Sequence, residues 1–488
     1  MGGLSSWLAA AVSFIQSGAN ATLRTVQQEL GQRYTLQQFG GICDGIADDT
    51  ASINNTIAVV PAGAEIVIIG TPAFSTPLVI NKKLRLTFFG NNGTAGTKPF
   101  SYFKKMPQCR GIGVTMSDAG AGGFIWDGGG IVGVPQVIAL TQIGNVATAI
   151  TATPHGWING DPVFHAGATQ PQYNVTANIT VTGPNSYTYP IAGNPASPAT
   201  GTPYALFAAD GLWINDYRFL ANNPYITLMG AHGIRIGNPI TNAVNCDLFQ
   251  LNAPFCNYNG LDGIHIESNT GGAPEANEGA LLNPSCNYNF GNGVSMFASA
   301  NNIIVNGDCE LNQGYGLVVG GAAGTTRNCT VISGDYENNV LGQLIITANS
   351  FQATVVGVDN TFFNPAINDA GLLTTCTGGG VVTSPQESQS QFAIFAGTRQ
   401  NVINVALINT LYDIPNTVAL HGLIYFSDNT SGDCAVYAYR NGTAPHAIVN
   451  GIANFVCQNH NANNVQIEVT GGVTPRLIEF SILKSGAG

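Results

Sequence analysis

The sequence predicts an all-β protein built on a parallel β-helix solenoid. It adds a short N-terminal helical connector, an inserted small β module and a C-terminal β-sandwich-like domain. Three observations carry this. Four segments align on one pattern, "CNYNGLDGIHI" from Cys256, "CNYNFGNGVSM" from Cys286, "CELNQGYGLVV" from Cys309 and "YENNVLGQLII" from Tyr336, at spacings of 30, 23 and 27 residues. Such self-similarity, made of short strands and Asn/Gly turns, marks units that bury a face only by stacking on one another. The chain also carries 61 Gly and only 9% charged residues, so Asn, Thr, Ser and Gln supply most of its polar surface, as in strand- and turn-rich proteins. Finally, one segment alone, "ATLRTVQQELGQRY", has a convincing helical pattern, and leucine-rich repeats are excluded by the missing leucine pattern.

Residues 1–38 are read as the connector. The opening "MGGLSSWLAAAVSFIQSGA" has no Lys or Arg ahead of its apolar part and is not read as a secretory signal. Residues 39–133 begin the solenoid with "FGGICDGIADDTASINNTI", where Asp48, Asp49 or Thr50 is placed to cap a helix carrying Ile53 and Ile57. Residues 134–207 interrupt the coils with alternating strands between Gly, Pro and Asn turns, which predicts the inserted module. Residues 208–384 are the main solenoid, with "AHGIRI" from Ala231 as an earlier coil. Residues 385–488 lose the coil period and form a separate β domain for trimerisation or glycan contact.

The alignment assigns faces. Cys256, Cys286, Cys309 and Tyr336 form one inward column, and Asn259, Asn289, Asn312 and Asn339 form an interior amide ladder that satisfies backbone groups at a tight turn. Ile234, Ile264, Val294 and Leu317 share one phase and Ile236, Ile266, Met296 and Val319 another, so Arg235, His265 and Ser295 between them point the opposite way, outward.

With 16 basic against 27 acidic residues the net charge is −11, which argues against a nucleic-acid partner held through phosphates. A hydroxyl-rich ligand recognised by Asn, Tyr and Trp fits better. No apolar run is long enough to cross a bilayer. The ten cysteines show no metal-ligand spacing and are read as reduced core residues; neither metal nor cofactor is expected. "DGGGIVG" from Asp127 lacks the Lys of a phosphate loop.

"FGGICDGIADDTASINNTI" resembles the opening of the pectate-lyase-like parallel β-helix superfamily, which starts with an F-G-A-x-G-D-G-x-x-D-D-T-x-A-I type motif; Ile42 and Cys43 replace its usual small pair. Upstream, "FIQSGANATLRTVQQEL" resembles the connector that precedes this motif in bacteriophage tailspike and tail-fibre proteins. The resemblance covers residues 12–70 at motif level. It implies a right-handed helix and a homotrimeric virion protein that docks on other tail proteins. It also implies binding, and usually cleavage, of bacterial surface polysaccharide, either capsule or O-antigen.

Two constellations could carry such chemistry. Flanking the inward column, Asp308, Glu310, Asp335 and Glu337 should share one solvent-facing patch, because coils stack about 4.8 Å apart and residues i and i+2 lie about 6.6 Å apart. These spacings bracket the roughly 5 to 9.5 Å separations of glycosidase carboxyl pairs. Crowding raises the pKa of at least one member, supplying the protonated acid that assists a leaving sugar oxygen. Glu337 is assigned that role, with Asp308 or Glu310 as base or nucleophile; a solvated acidic edge, or a cation site that neutralises the stack, is the alternative. The second constellation, Arg235, His265, Glu267 and Asp262, could neutralise a uronate and take its C5 proton in β-elimination. A surface salt bridge of Arg235 with Glu267 is the plainer reading. Tyr258, Tyr288, Tyr315, Trp213 and Trp126 are candidate sugar platforms, with corner packing as the alternative. His421, His446 and His460 lack a paired nucleophile, and Asp216 or Glu278 could enter a groove between subunits. A non-catalytic adhesin is the remaining possibility.

Overall fold

The computed structural model describes residues 33–90, 99–118, 122–237, 245–268, 276–321 and 324–356 in full. Short strands before residue 33 and between residues 367 and 484 are described by backbone pairing alone. Three parallel sheets wind through the chain. An eleven-stranded sheet runs from Arg33–Thr35 to Thr375–Thr377, a ten-stranded sheet from Leu78–Ile80 to Val382–Thr383, and a six-stranded sheet from Asp44–Asp48 to Phe255–Asn257. Isolated bridges Phe255↔Ser285 and Ser285↔Asp308 extend the third. Successive coils therefore add one short strand to each side, which is a parallel β-helix.

The register of the aligned coils sets the core. Ile234, Ile264, Val294, Leu317 and Leu344 pair in line along the ten-stranded sheet and are all fully buried. Burying each such side chain contributes about 1.5–3 kcal/mol, and only stacking achieves it here. The inward column Cys256, Cys286, Cys309 and Tyr336 is equally buried, and the seven described cysteines are free thiols.

The Asn ladder explains how the chain turns the corner. Residues just before it, Tyr258, Tyr288, Leu311 and Asn338, adopt left-handed φ values of 57–59°, which L-residues disfavour. Each following Asn then locks the corner. Nδ2 of Asn289 donates to Cys256 O at 2.9 Å and to Asn312 Oδ1 at 3.0 Å, while its Oδ1 accepts from Asn259 N and Nδ2 at 3.0 Å. Asn312 and Asn339 repeat the pattern, and Gln343 closes the ladder at 3.0 Å from Asn339 Nδ2.

At the start, the helix Thr50–Val59 follows Asp49 as expected, but the acid pair divides its work differently. Asp48 Oδ1 accepts from Thr50 N at 3.0 Å, while Asp49 turns inward and accepts from the amides of Ile42, Cys43 and Ala73 at 2.7–3.2 Å. Asp49 thus ties the first turn to the second coil. The helical expectation upstream is corrected where it is described. Arg24–Thr25 pairs antiparallel with Ser13–Phe14, and Arg33–Thr35 is already a solenoid strand, its Arg33 bonded to Glu65 at 2.9 Å. Thr35 and Tyr34 suit a pleated edge, and the neighbouring coil supplies hydrogen bonds that a lone helix would lack. The rest of that segment lies outside the described residues.

Gln136–Phe207 forms a seven-stranded antiparallel sheet between two solenoid strands, with its own core of Trp157, Tyr173, Tyr187 and Tyr189. Its Phe164 meets Phe290 of a coil edge to face, at 4.9 Å. Between Asn401 and Lys484 the chain pairs into a five-stranded and a three-stranded antiparallel sheet. The side chains of His421, His446 and His460 there lie outside the described residues.

Candidate active site on the coil face

On either side of the buried Cys/Tyr column, two outward columns run along the solenoid. Tyr225, Phe255, Ser285, Asp308 and Asp335 pair in sequence on one side. On the other, Thr227 pairs with Asn257; Asn257 Oδ1 then accepts from Asn287 N at 2.8 Å, and Asn287 Oδ1 from Glu310 N at 2.7 Å. Glu337 follows, its carbonyl accepting from Leu311 N. All four expected acids therefore meet on one face. One carboxylate oxygen each from Glu310, Asp335 and Glu337 lie within 4.8 Å of one another.

This crowding acts on Glu310. Partial burial, then the charges of Asp308, Glu337 and Asp335, push its carboxyl up to about 7. Asp308 has a different setting, because Asn287 Nδ2 donates to its Oδ2 at 3.2 Å.

The aromatic expectations separate. Tyr258 and Tyr288, each 45% exposed, stack at 5.0 Å and 8° on the same turn as the acids. A second stack, Tyr225 on Phe255 at 4.7 Å and 4°, lies in the column that leads to Asp308 and was not anticipated. Extending the alignment one coil back would have found it, since "PYITLMGAHGIRI" from Pro224 matches "PFCNYNGLDGIHI" from Pro254. Tyr315 and Trp213 stand instead on the ten-stranded sheet, where Trp213 Nε1 donates to Gly237 O at 2.7 Å. Trp126 is no platform: it is fully buried against Phe88 and Phe103.

The second constellation also assembles, but not at the surface. Arg235 pairs in register with His265 and His265 with Ser295, yet His265 is only 5% exposed and Ser295 is buried. Turn residues fold over that face: His232 stacks on His265 at 4.2 Å, and Asn292 Nδ2 reaches Ser295 Oγ at 3.1 Å. The expected Arg235–Glu267 bridge is replaced by two others. Arg235 Nε lies 3.4 Å from Asp210 Oδ2, and Glu267 Oε2 lies 3.2 Å from His265 Nε2. His265 Nδ1 is 2.7 Å from Asp262 Oδ2. Burial would lower His265, but hydrogen bonds to Asp262 and Glu267 outweigh it and hold the imidazolium up to about 9. Burial and the His265 charge push His232 down to about 3. Asp216 is buried and accepts from the Tyr217 and Asp118 amides, while Glu278 occupies a turn at φ 53°.

Coils and columns together define a parallel β-helix protein with a cluster of carboxylates on one coil face. No family model matches the chain, and no curated protein is similar to it in sequence. Among solved structures it is similar to tailspike protein 2 of an Escherichia coli O157:H7 bacteriophage. That match has 10% identity and a TM-score of 0.44, covering 96% of this chain and 73% of that one. It is also similar to the tailspike of Acinetobacter phage vB_ApiP_P1, with 12% identity, 97% and 92% coverage and a TM-score of 0.40. The A-module of an Azotobacter vinelandii mannuronan C-5 epimerase gives 12% identity, 73% and 88% coverage and a TM-score of 0.39. At such values the likeness adds nothing to what the strand pairing already establishes.

Proposed function

We propose that the chain is a polysaccharide depolymerase of the phage-tailspike kind, cleaving a bacterial capsule or O-antigen inside the chain by glycosidic hydrolysis. The observation that carries this reading is the convergence of Glu310, Asp335 and Glu337, beside Asp308, on one coil face, where partial burial and the neighbouring charges push Glu310 up to about 7. Glu310 donates its proton to the departing sugar oxygen. Asp308, Asp335 or Glu337 acts as base or nucleophile on the opposite side of the anomeric carbon. The Tyr225/Phe255 and Tyr258/Tyr288 stacks supply apolar edges for flanking sugars. No cofactor takes part. The opening motif adds the virion setting: a homotrimer held to other tail proteins by its N-terminal segment, acting outside the host cell.

β-Elimination at Arg235 and His265 is disfavoured. Both His265 nitrogens are engaged by carboxylates, and the ring is charged and buried. It has no free lone pair to take a C5 proton. Mass spectrometry of products from a panel of capsules and O-chains tests the reading. Repeat-unit oligosaccharides carrying one added water support hydrolysis; fragments lacking that water would overturn it.

A further inference from the structure

The cluster beneath the ten-stranded sheet face has no part in that chemistry, yet it has the composition of a metal centre. His232 Nδ1 and His265 Nδ1 both face one oxygen, Asp262 Oδ2, at 3.6 and 2.7 Å, and all three residues are buried. The first matches the roughly 3.3–3.6 Å ligand-to-ligand spacing of a tetrahedral ion bound at about 2.0–2.2 Å, and the second is a hydrogen bond that must lengthen by under about 1 Å when the ion replaces its proton. The other nitrogen of His265 meets Glu267 Oε2 at 3.2 Å. A carboxylate on the far side of a histidine is the usual device for orienting a ligating imidazole. Asp262 Oδ1 is itself held by Asn292 N at 2.7 Å.

Charge points the same way. Asp262 and Glu267 bring two carboxylates to the cluster, while Arg235 and Asp210 face each other as a pair. A divalent ion bound there is matched in charge by those two carboxylates, and the ligating imidazole nitrogens give up any proton to solvent on binding. We propose that His232, Asp262 and His265 bind a divalent transition metal of the Zn²⁺ class, with Glu267 orienting His265. His232 precedes one strand, Ile234–Ile236, and the other two ligands belong to the next coil, so the ion staples successive coils. To bind, His232 Nδ1 gives up the hydrogen bond it accepts from the Asp262 amide at 3.2 Å.

The test uses the full chain, stripped with chelator and titrated with Co²⁺ and then Zn²⁺. Expected is one Co²⁺ per chain with the intense visible bands of four-coordinate cobalt, displacement by Zn²⁺, and a thermal midpoint raised by Zn²⁺. Glu267→Gln, at the half-buried rim, weakens binding about 10- to 100-fold, and His232→Gln abolishes saturable uptake. Absence of stoichiometric uptake by the wild-type chain overturns the proposal, as does unchanged affinity in Glu267→Gln. Glu267→Gln decides the matter even where His232→Gln does not fold.

Discussion

Asn287 stands between two acids and treats them differently. It donates its side-chain amide to Asp308 Oδ2 at 3.2 Å and accepts the backbone amide of Glu310 at 2.7 Å. One amide thus orients the Asp308 carboxylate while holding the strand that carries Glu310.

Replacing the proton donor should separate turnover from binding. Glu310→Gln keeps the shape of the face but lowers kcat by about 10²–10⁴, the usual worth of a positioned general acid, with oligosaccharide affinity retained. Steady-state kinetics and a binding titration on the same substrate check this.

Activity should fall on the alkaline side. Glu310 works only when protonated and its carboxyl sits at about 7, so kcat is present below that value and lost as pH rises through it. Asn287→Asp adds a fifth carboxylate to the patch and should move this limb upward. A kcat–pH profile of both proteins measures the shift.

The His265 cluster predicts a pH dependence of stability instead. In the folded chain His265 is raised to about 9 from an ordinary 6.5, so its contribution is complete below the unfolded value and lost as pH rises through 9. In chelator-treated protein the thermal midpoint should therefore drop between pH 7 and 9, and Glu267→Gln should flatten the drop.

Asn312 is an internal rung of the ladder. Its Nδ2 serves Cys286 O and Asn339 Oδ1, and its Oδ1 accepts from Asn289, all in the buried interior. Asn312→Ala should destabilise by about 3 kcal/mol by stranding those buried groups, seen as a lower thermal midpoint at fixed scan rate.

The coil repeat was legible because Cys256, Cys286 and Cys309 recur beside an Asn three residues on, and strand alternation then sorts faces without coordinates. Lateral position was not legible. Asp308 and Glu310 could be placed together, but nothing in their spacing said that Asn287 would reach across a coil to only one of them. Alternation made His265 point away from the core, correctly, yet pointing away is not exposure: the turn bearing His232 and Asp262 closes over it. His232 itself escaped notice because its partner lies one whole coil later in the chain, a separation that carries no short-range signature. The helical reading of 21–34 failed at Arg33–Thr35, where pairing with Glu65–Ile68 overrides local propensity.

The amide ladder fixes the pitch of the solenoid, and with it a ruler. Asp308 follows Phe255 by two coils and Asp335 by three, each coil advancing about 4.8 Å. A glycan anchored at the Tyr225/Phe255 step would present its bond to Glu310 at a reach counted in whole coils. The length of the shortest oligosaccharide released would then be a property of coil number, adjustable by inserting or deleting one rung.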